Sequence, residues 1–142
     1  MILQADPGRS FRAMEEEIKT AGDLIAKHED QPLVTLYAEE LVSHAIASIR
    51  KFGISQIPVK NIDGFVGSID ESKLFSLLVD NPELRNAAIS TVMNAPFPVV
   101  KESASLEEVS RLINKDTSAV LVEKNDGKFH IITKFDIISA LS

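Results

Sequence analysis

The stretch Phe129-His130-Ile131-Ile132-Thr133-Lys134-Phe135-Asp136-Ile137-Ile138-Ser139-Ala140-Leu141 changes its hydrophobic period half-way along. Phe129, Ile131 and Ile132 form an apolar run that reads as a strand, whereas Ile137, Ile138 and Leu141 have the spacing of a helix face. Thr133 and Asp136 stand three residues apart at the turn between them. Such a turn gathers a hydroxyl, a carboxylate and the unpaired N–H groups of a new helix, which suits a ligand carrying a ribose and an anionic group. The same spacing also fits a capping box, with Asp in place of the usual Glu or Gln.

Upstream, Phe65-Val66-Gly67-Ser68-Ile69 repeats the strand, and Leu74, Phe75, Leu77 and Leu78 repeat the helix. Each pair is preceded by a further strand and a tight turn. These are Gln56-Ile57-Pro58-Val59 with Asn61-Ile62-Asp63-Gly64, and Ser118 to Val122 with Asn125-Asp126-Gly127. Pro58 deprives its strand of one ladder bond. Earlier again come two helices. The first is opened by Glu39 and Glu40, buries Val42, Ala45, Ile46 and Ile49, and is ended by Gly53. The second is opened by a capping box from Ser105 to Glu108 and turns Leu106, Val109, Leu112 and Ile113 inward. Short strands at Pro32 to Leu36 and at Pro98 to Val100 lead into them. Ala21 to Ile25 is a short amphipathic turn, and Thr91-Val92-Met93 stands where Asp23-Leu24-Ile25 stood.

The register can be counted. Ser55 and Ser118, Val59 and Val122, Asp70 and Thr133, and Lys73 and Asp136 are all 63 positions apart, while Ala45 and Val109 are 64 apart. The chain is therefore a tandem duplication whose second copy has lost one residue near the end of its first helix. Two copies predict a pseudo-symmetric pair packed face to face, because stacked solenoids need about three or more. The expected division is a linker or tether over 1–19, a first repeat over 20–80, a connector over 81–89 and a second repeat over 90–142. Phe11, Met14 and Ile18 share one face if the tether is helical.

Bulk composition narrows the function classes. A chain of 142 residues is about one domain long and buries roughly two-thirds of its unfolded surface. The net charge is −6 with Lys and Arg scattered, which argues against nucleic acid as a partner. Aromatic content of 6% without tryptophan argues against a base-stacking platform. No apolar run approaches the ~18 residues of a membrane span, so no membrane association is expected. The absence of cysteine excludes disulfides and thiolate metal sites and points to a cytoplasmic address. His28, His44 and His130 have no ligand spacing, and no nucleophile or phosphate-loop signature occurs, so no catalytic residue and no metal site is expected. His44 is expected to face solvent.

The order strand–helix–strand–strand–helix, given twice, resembles the CBS-domain pair, or Bateman module. The residues that carry the resemblance are Gly53-Ile54-Ser55-Gln56-Ile57-Pro58-Val59 and Ile131-Ile132-Thr133-Lys134-Phe135-Asp136. It covers about residues 20 to 142 and implies an α/β (α+β) fold of two tandem βαββα repeats packed as a pseudo-two-fold pair. Val66 to Glu83 and Phe129 to Leu141 are also similar to the C-terminal regulatory region of bacterial cystathionine β-synthases, which depend on pyridoxal phosphate (PLP). In that case a catalytic domain would stand N-terminal to these residues.

The resemblance implies an adenosyl effector, S-adenosylmethionine, AMP or ATP, held by the Thr-x-x-Asp motif. A carboxylate can accept from both hydroxyls of a cis-diol, which Asp136 would do for a ribose. Thr133 Oγ and the helix N–H groups would face the 5′ substituent. By the same resemblance the adenine slot comes from Ile54, Ser55, Gln56 and Ile57 of the other copy with Leu33 or Val34 at its rim, and Ile131 and Phe135 line the same cleft. Ile54, Ile57 and Ile131 fit equally well as plain core. His130 and Lys134 flank the turn and could add positive charge toward a phosphate.

The first copy departs from the pattern, with Asp70 for the Thr and Lys73 for the Asp. Lys73 has donors only and cannot accept the diol protons. Asp70 suits a helix N-cap, and Ser68 with Glu71 offers a second cap pair. One competent site and one degenerate site are expected. The functional expectation is a regulatory module sensing S-adenosylmethionine on a tethered PLP enzyme, through a population shift and as a homodimer. A stand-alone AMP or ATP sensor and a ligand-free dimerisation module are the alternatives.

Overall fold

A computed structural model describes residues 18–28 and 31–141. The helix expected through Phe11 and Met14 lies outside the described residues. Its last residue, Ile18, is not helical and packs against apolar core.

The first repeat contains α1 (Ala21–Ile25), β1 (Leu36–Tyr37), α2 (Val42–Phe52), β2 (Gln56–Asn61), β3 (Gly64–Asp70) and α3 (Glu71–Asp80). The second contains β4 (Val99–Lys101), α4 (Leu106–Leu112), β5 (Ala119–Glu123), β6 (Phe129–Thr133) and α5 (Lys134–Leu141). Single 3₁₀ turns occupy Ala26–His28, Pro82–Asn86 and Ile89–Thr91. The described residues form two three-stranded sheets, ordered β1-β2-β3 and β4-β5-β6. β1 runs parallel to β2, β2 antiparallel to β3, and β4 parallel to β5. This is the α/β fold of two βαββα repeats that the duplication predicts. β2 and β5 begin 63 positions apart, as do α3 and α5, while α2 and α4 begin 64 apart.

Local chemistry explains most boundaries. Gly53 ends α2 with φ of 64°, a left-handed conformation that costs other residues about 1–2 kcal/mol, and its N–H bonds Ile49 O at 2.9 Å. The Asn61 carboxamide accepts the Asp63 N–H at 2.7 Å and closes the β2–β3 hairpin. Ser105 Oγ accepts the Glu108 N–H at 3.0 Å, as the capping box requires.

Two expectations need correction. The strand expected from Pro32 to Leu36 is only Leu36–Tyr37, because its pairing with β2 spans only Val59 and Lys60, directly after Pro58. Glu39 and Glu40 do not open α2. The Glu40 carboxylate instead accepts the Tyr37 N–H at 2.8 Å and closes a turn, and the helix starts after Leu41.

The chain forms two compact units. One comprises Leu33–Pro98 with Thr117–Ala119, and its core contains Leu36, Val42, Ala45, Ile57, Val59, Ile69, Leu74 and Ile89. The other comprises Val99–Asp116, Val120–Ser142 and the described residues up to Pro32; its core contains Val109, Val120, Val122, Ile132 and Ile137 with Ala21, Leu24 and Ile25. The lead-in of the first repeat is thus built into the second repeat's core, and the lead-in of the second repeat into the first's.

Each exchange uses the same backbone bonds. Ala21 N and Gly22 N donate to Ala104 O and Glu102 O at 2.8 and 2.9 Å, and Leu106 N donates to Lys19 O at 2.9 Å. In the other unit Ile89 N and Ser90 N donate to Glu40 O and Ala38 O at 2.7 and 2.9 Å, and Val42 N donates to Ala87 O at 2.9 Å. The lead-ins are related by 68 positions, which places Thr91 to Met93 opposite Asp23 to Ile25 as the sequence suggests.

A full capping box starts α1. Thr20 Oγ1 accepts the Asp23 N–H at 3.1 Å, and Asp23 Oδ2 accepts the N–H groups of Lys19 and Thr20 at 2.9 and 3.1 Å. The Lys19 N–H above all holds the Asp23 carboxyl below its ordinary value. A depressed folded-state value means that Asp23 stabilises docked α1 above its unfolded-state pKa. That stabilisation is lost as pH falls through the folded-state value. The Asp23 carboxyl resonance is therefore expected to titrate below the free-aspartate midpoint, with the Gly22 and Asp23 amide shifts changing in step. A midpoint at or above that of free aspartate contradicts the box.

Candidate functional site

β6 delivers Thr133 to the start of α5, and one helical turn later Asp136 reaches back to it. Asp136 Oδ2 accepts both the Thr133 N–H at 2.8 Å and the Thr133 Oγ–H at 3.1 Å. The backbone bond is the returning half of a capping box, so the cap reading holds for that half of the pair. Both side chains are half-buried.

Ile131 and Phe135 stand at the same turn. Ile131 is half-buried on β6, while Phe135, in the first turn of α5, is 73% exposed. His130 is half-buried and Lys134 exposed.

The corresponding turn of the first repeat is built differently. Asp70 is the N-cap of α3, and its Oδ1 accepts the N–H groups of Ser72 and Lys73 at 3.0 and 3.3 Å. Its carboxylate thus fills the place at the helix N-terminus that an anion would otherwise take. Asp70 therefore points forward into its helix, whereas Asp136 points back to the end of its strand. The suggested pairing of Ser68 with Glu71 is not formed. Ser68 is 3% exposed and donates to Ala95 O at 2.6 Å, while Glu71 Oε1 accepts from Ser55 Oγ at 2.9 Å. Ser68 is drawn away because its backbone pairs with Asn94 on the open edge of β3. Gly67 permits that crossing, since a Cβ there would lie 3.0 Å from Asn94 O and 2.8 Å from Met93 Cγ.

Ile54, Ser55 and Gln56 are half-buried between Gly53 and the body of β2. Glu71 N donates to Ser55 O at 2.8 Å, so Ser55 ties this bend to the start of α3 through both hydroxyl and carbonyl. Nothing in the local spacing pointed to that tie, because the two residues are 16 apart in sequence. Leu33 is half-buried in the same unit. Ile57 is fully buried in the core of that unit and offers no side-chain surface.

Among the described residues no three His, Asp or Glu side chains are grouped to hold a metal ion. His44 lies on the surface, with Nδ1 3.7 Å from Glu40 Oε2. No helix among the described residues is long and apolar enough to cross a membrane.

Comparison with solved structures agrees with the repeat architecture. A CBS-domain containing protein from Agrobacterium tumefaciens superposes with a TM-score of 0.75 at 17% identity, covering 88% of this chain and 95% of its own. CBSX2, solved in complex with AMP, superposes with a TM-score of 0.65 at 19% identity over 86% of this chain and 95% of its own. A hemolysin-like protein containing a CBS domain from Oenococcus oeni gives 0.65 at 21% identity over 92% and 96%. At these identities the likeness speaks for the fold. The family model of the CBS domain matches twice, at residues 21–80 and 89–142, so the chain belongs to the CBS-domain family and carries a pair of these domains.

Proposed function

We propose that this CBS pair is a non-catalytic regulatory module that binds an adenosyl ligand at the Thr133–Asp136 turn. The observation that carries the proposal is the different use of the two equivalent turns. α3 is capped forward by Asp70 with Lys73 where the acid would stand, so capping alone does not require an acid at that position. The second repeat nevertheless has Asp136, oriented back to Thr133. Asp136 would take the ribose diol, and Thr133 with the N-terminal amides of α5 the 5′ substituent. Ser55, Gln56, Ile54 and Leu33 are carried in the proposal as adenine contacts, and Asp70 with Lys73 as a degenerate second site.

AMP is the first ligand to test, since CBSX2 is a fold relative solved with it. S-adenosylmethionine is the second, from the likeness of Val66–Glu83 and Phe129–Leu141 to cystathionine β-synthases. With it comes the proposal that the chain acts on a tethered PLP enzyme. Regulation would be a population shift that the ligand drives by preferring one state of the module. Isothermal titration with AMP, ATP and S-adenosylmethionine is expected to give saturable heat with at least one of them. No heat from any refutes the proposal.

A second reading is favoured by exposed apolar side chains on two helices. Phe75 and Val79 of α3 are 67% and 62% exposed, and Phe135, Ile138 and Leu141 of α5 are 73%, 55% and 74% exposed. Such surfaces suit a homodimer. Sedimentation showing a dimer indifferent to all three ligands and unchanged in Thr133→Ala/Asp136→Ala would favour a pure dimerisation module.

A further inference from the structure

The exchanged lead-ins give the two turns different mechanical neighbours. In the unit that holds Thr133 and Asp136, α1 lies against β6. Ala21, Leu24 and Ile25 share one core with Ile132 and Ile137, the residues beside Thr133 and Asp136. A polar route runs alongside. Gly22 N donates to Glu102 O at 2.9 Å, and Glu102 Oε2 accepts the Asn125 N–H at 2.6 Å, at the head of the hairpin that runs into β6. There is little slack at this contact, because a Cβ on Gly22 would lie 3.0 Å from Glu102 Cβ. In the other unit the turn with Asp70 and Lys73 is backed by Ile69 and Leu74, packed with Ile89, Val92 and Met93 of the segment joining the repeats.

We infer that ligand capture at the Thr133–Asp136 turn is read out on α1, and so on the chain that enters it, residues 1–19, rather than on the segment joining the repeats. This rests on the ligand-binding reading above and specifies its regulation. A close-packed core transmits displacement instead of absorbing it. A ligand that braces the end of β6 therefore raises the cost of opening α1, which shares that core. By linkage, docked α1 raises the affinity for the ligand by the same factor.

Hydrogen exchange tests this in the 142-residue chain. Ala21 and Gly22, whose amides bond across to Ala104 and Glu102, have matched counterparts in Ile89 and Ser90. With AMP at about one hundred times its Kd, exchange at Ala21 and Gly22 is expected to slow at least ~3-fold, under a ceiling of about 100-fold set by saturation. Ile89 and Ser90 should slow less. Calorimetry on the same sample reports binding separately. AMP that binds but leaves Ala21 and Gly22 unchanged, or slows them no more than Ile89 and Ser90, overturns the coupling while leaving the site intact. Absence of binding removes the site and the coupling with it. As the reciprocal arm, Gly22→Ala is expected to weaken AMP binding at least ~3-fold. Unchanged affinity despite faster Ala21 exchange also overturns the inference.

Discussion

Asp136→Ala is expected to weaken AMP binding by about ten- to a few-hundred-fold. The figure follows from losing one or two charge-assisted hydrogen bonds of ~1.5–3 kcal/mol each, at about 1.4 kcal/mol per decade. The same change removes the bond from Asp136 Oδ2 to the Thr133 N–H, so about 1 kcal/mol of stability should also go. Asp136→Asn separates the two effects. Its carboxamide oxygen can still accept from Thr133, but it brings a donor and no charge to the ribose side. Stability within ~0.5 kcal/mol of the parent, with binding down about tenfold or more, is the expected pair of results. If Asp136→Asn binds AMP as well as the parent, Asp136 is a cap and the ribose lies elsewhere.

Ile57→Ala is expected to destabilise the protein by ~2–5 kcal/mol, the usual cost of truncating a fully buried aliphatic side chain. The melting temperature should fall by on the order of 10 °C. Ile57 is 0% exposed and packs in the core with Val59, Ile69 and Leu74, so the loss comes from a cavity, not from a missing ligand contact. Ile57→Val should cost only ~0.5–1.5 kcal/mol and leave any AMP affinity unchanged. The midpoint of urea unfolding decides. A shift below ~1 kcal/mol for the alanine variant contradicts the core assignment and returns Ile57 to the ligand slot.

These two residues also mark where the sequence was legible. Both lie in the motifs that reveal the duplication, and periodicity alone set Ile57 on a strand and Asp136 on a helix. It could not say whether Ile57 faces core or ligand, because a buried side chain and an apolar slot draw on the same residue types. Nor could it say that Asp136 turns back to Thr133 while Asp70 turns forward into its helix. Both are acids at a helix start, and side-chain direction there depends on the N–H groups within reach. Ser68 failed as a cap for a similar reason. Its hydroxyl and backbone are claimed by Ala95 and Asn94, 27 and 26 residues downstream.

What the sequence determined by itself is therefore local and repeated. Strands and helices, the glycine end of α2, the hairpin turns and the 63-residue register all follow from short-range periods and turn chemistry present twice in the chain. The tertiary structure alone decided which lead-in joins which core. Ala21 and Gly22 bond to Ala104 and Glu102 about 80 residues away, and Ile89 and Ser90 bond to Glu40 and Ala38. The two lead-ins present the same donors and similar apolar faces, so either pattern of docking satisfies the same local rules. Only closure of the two cores separates them, and that exchange sets α1 behind the turn that carries Thr133 and Asp136.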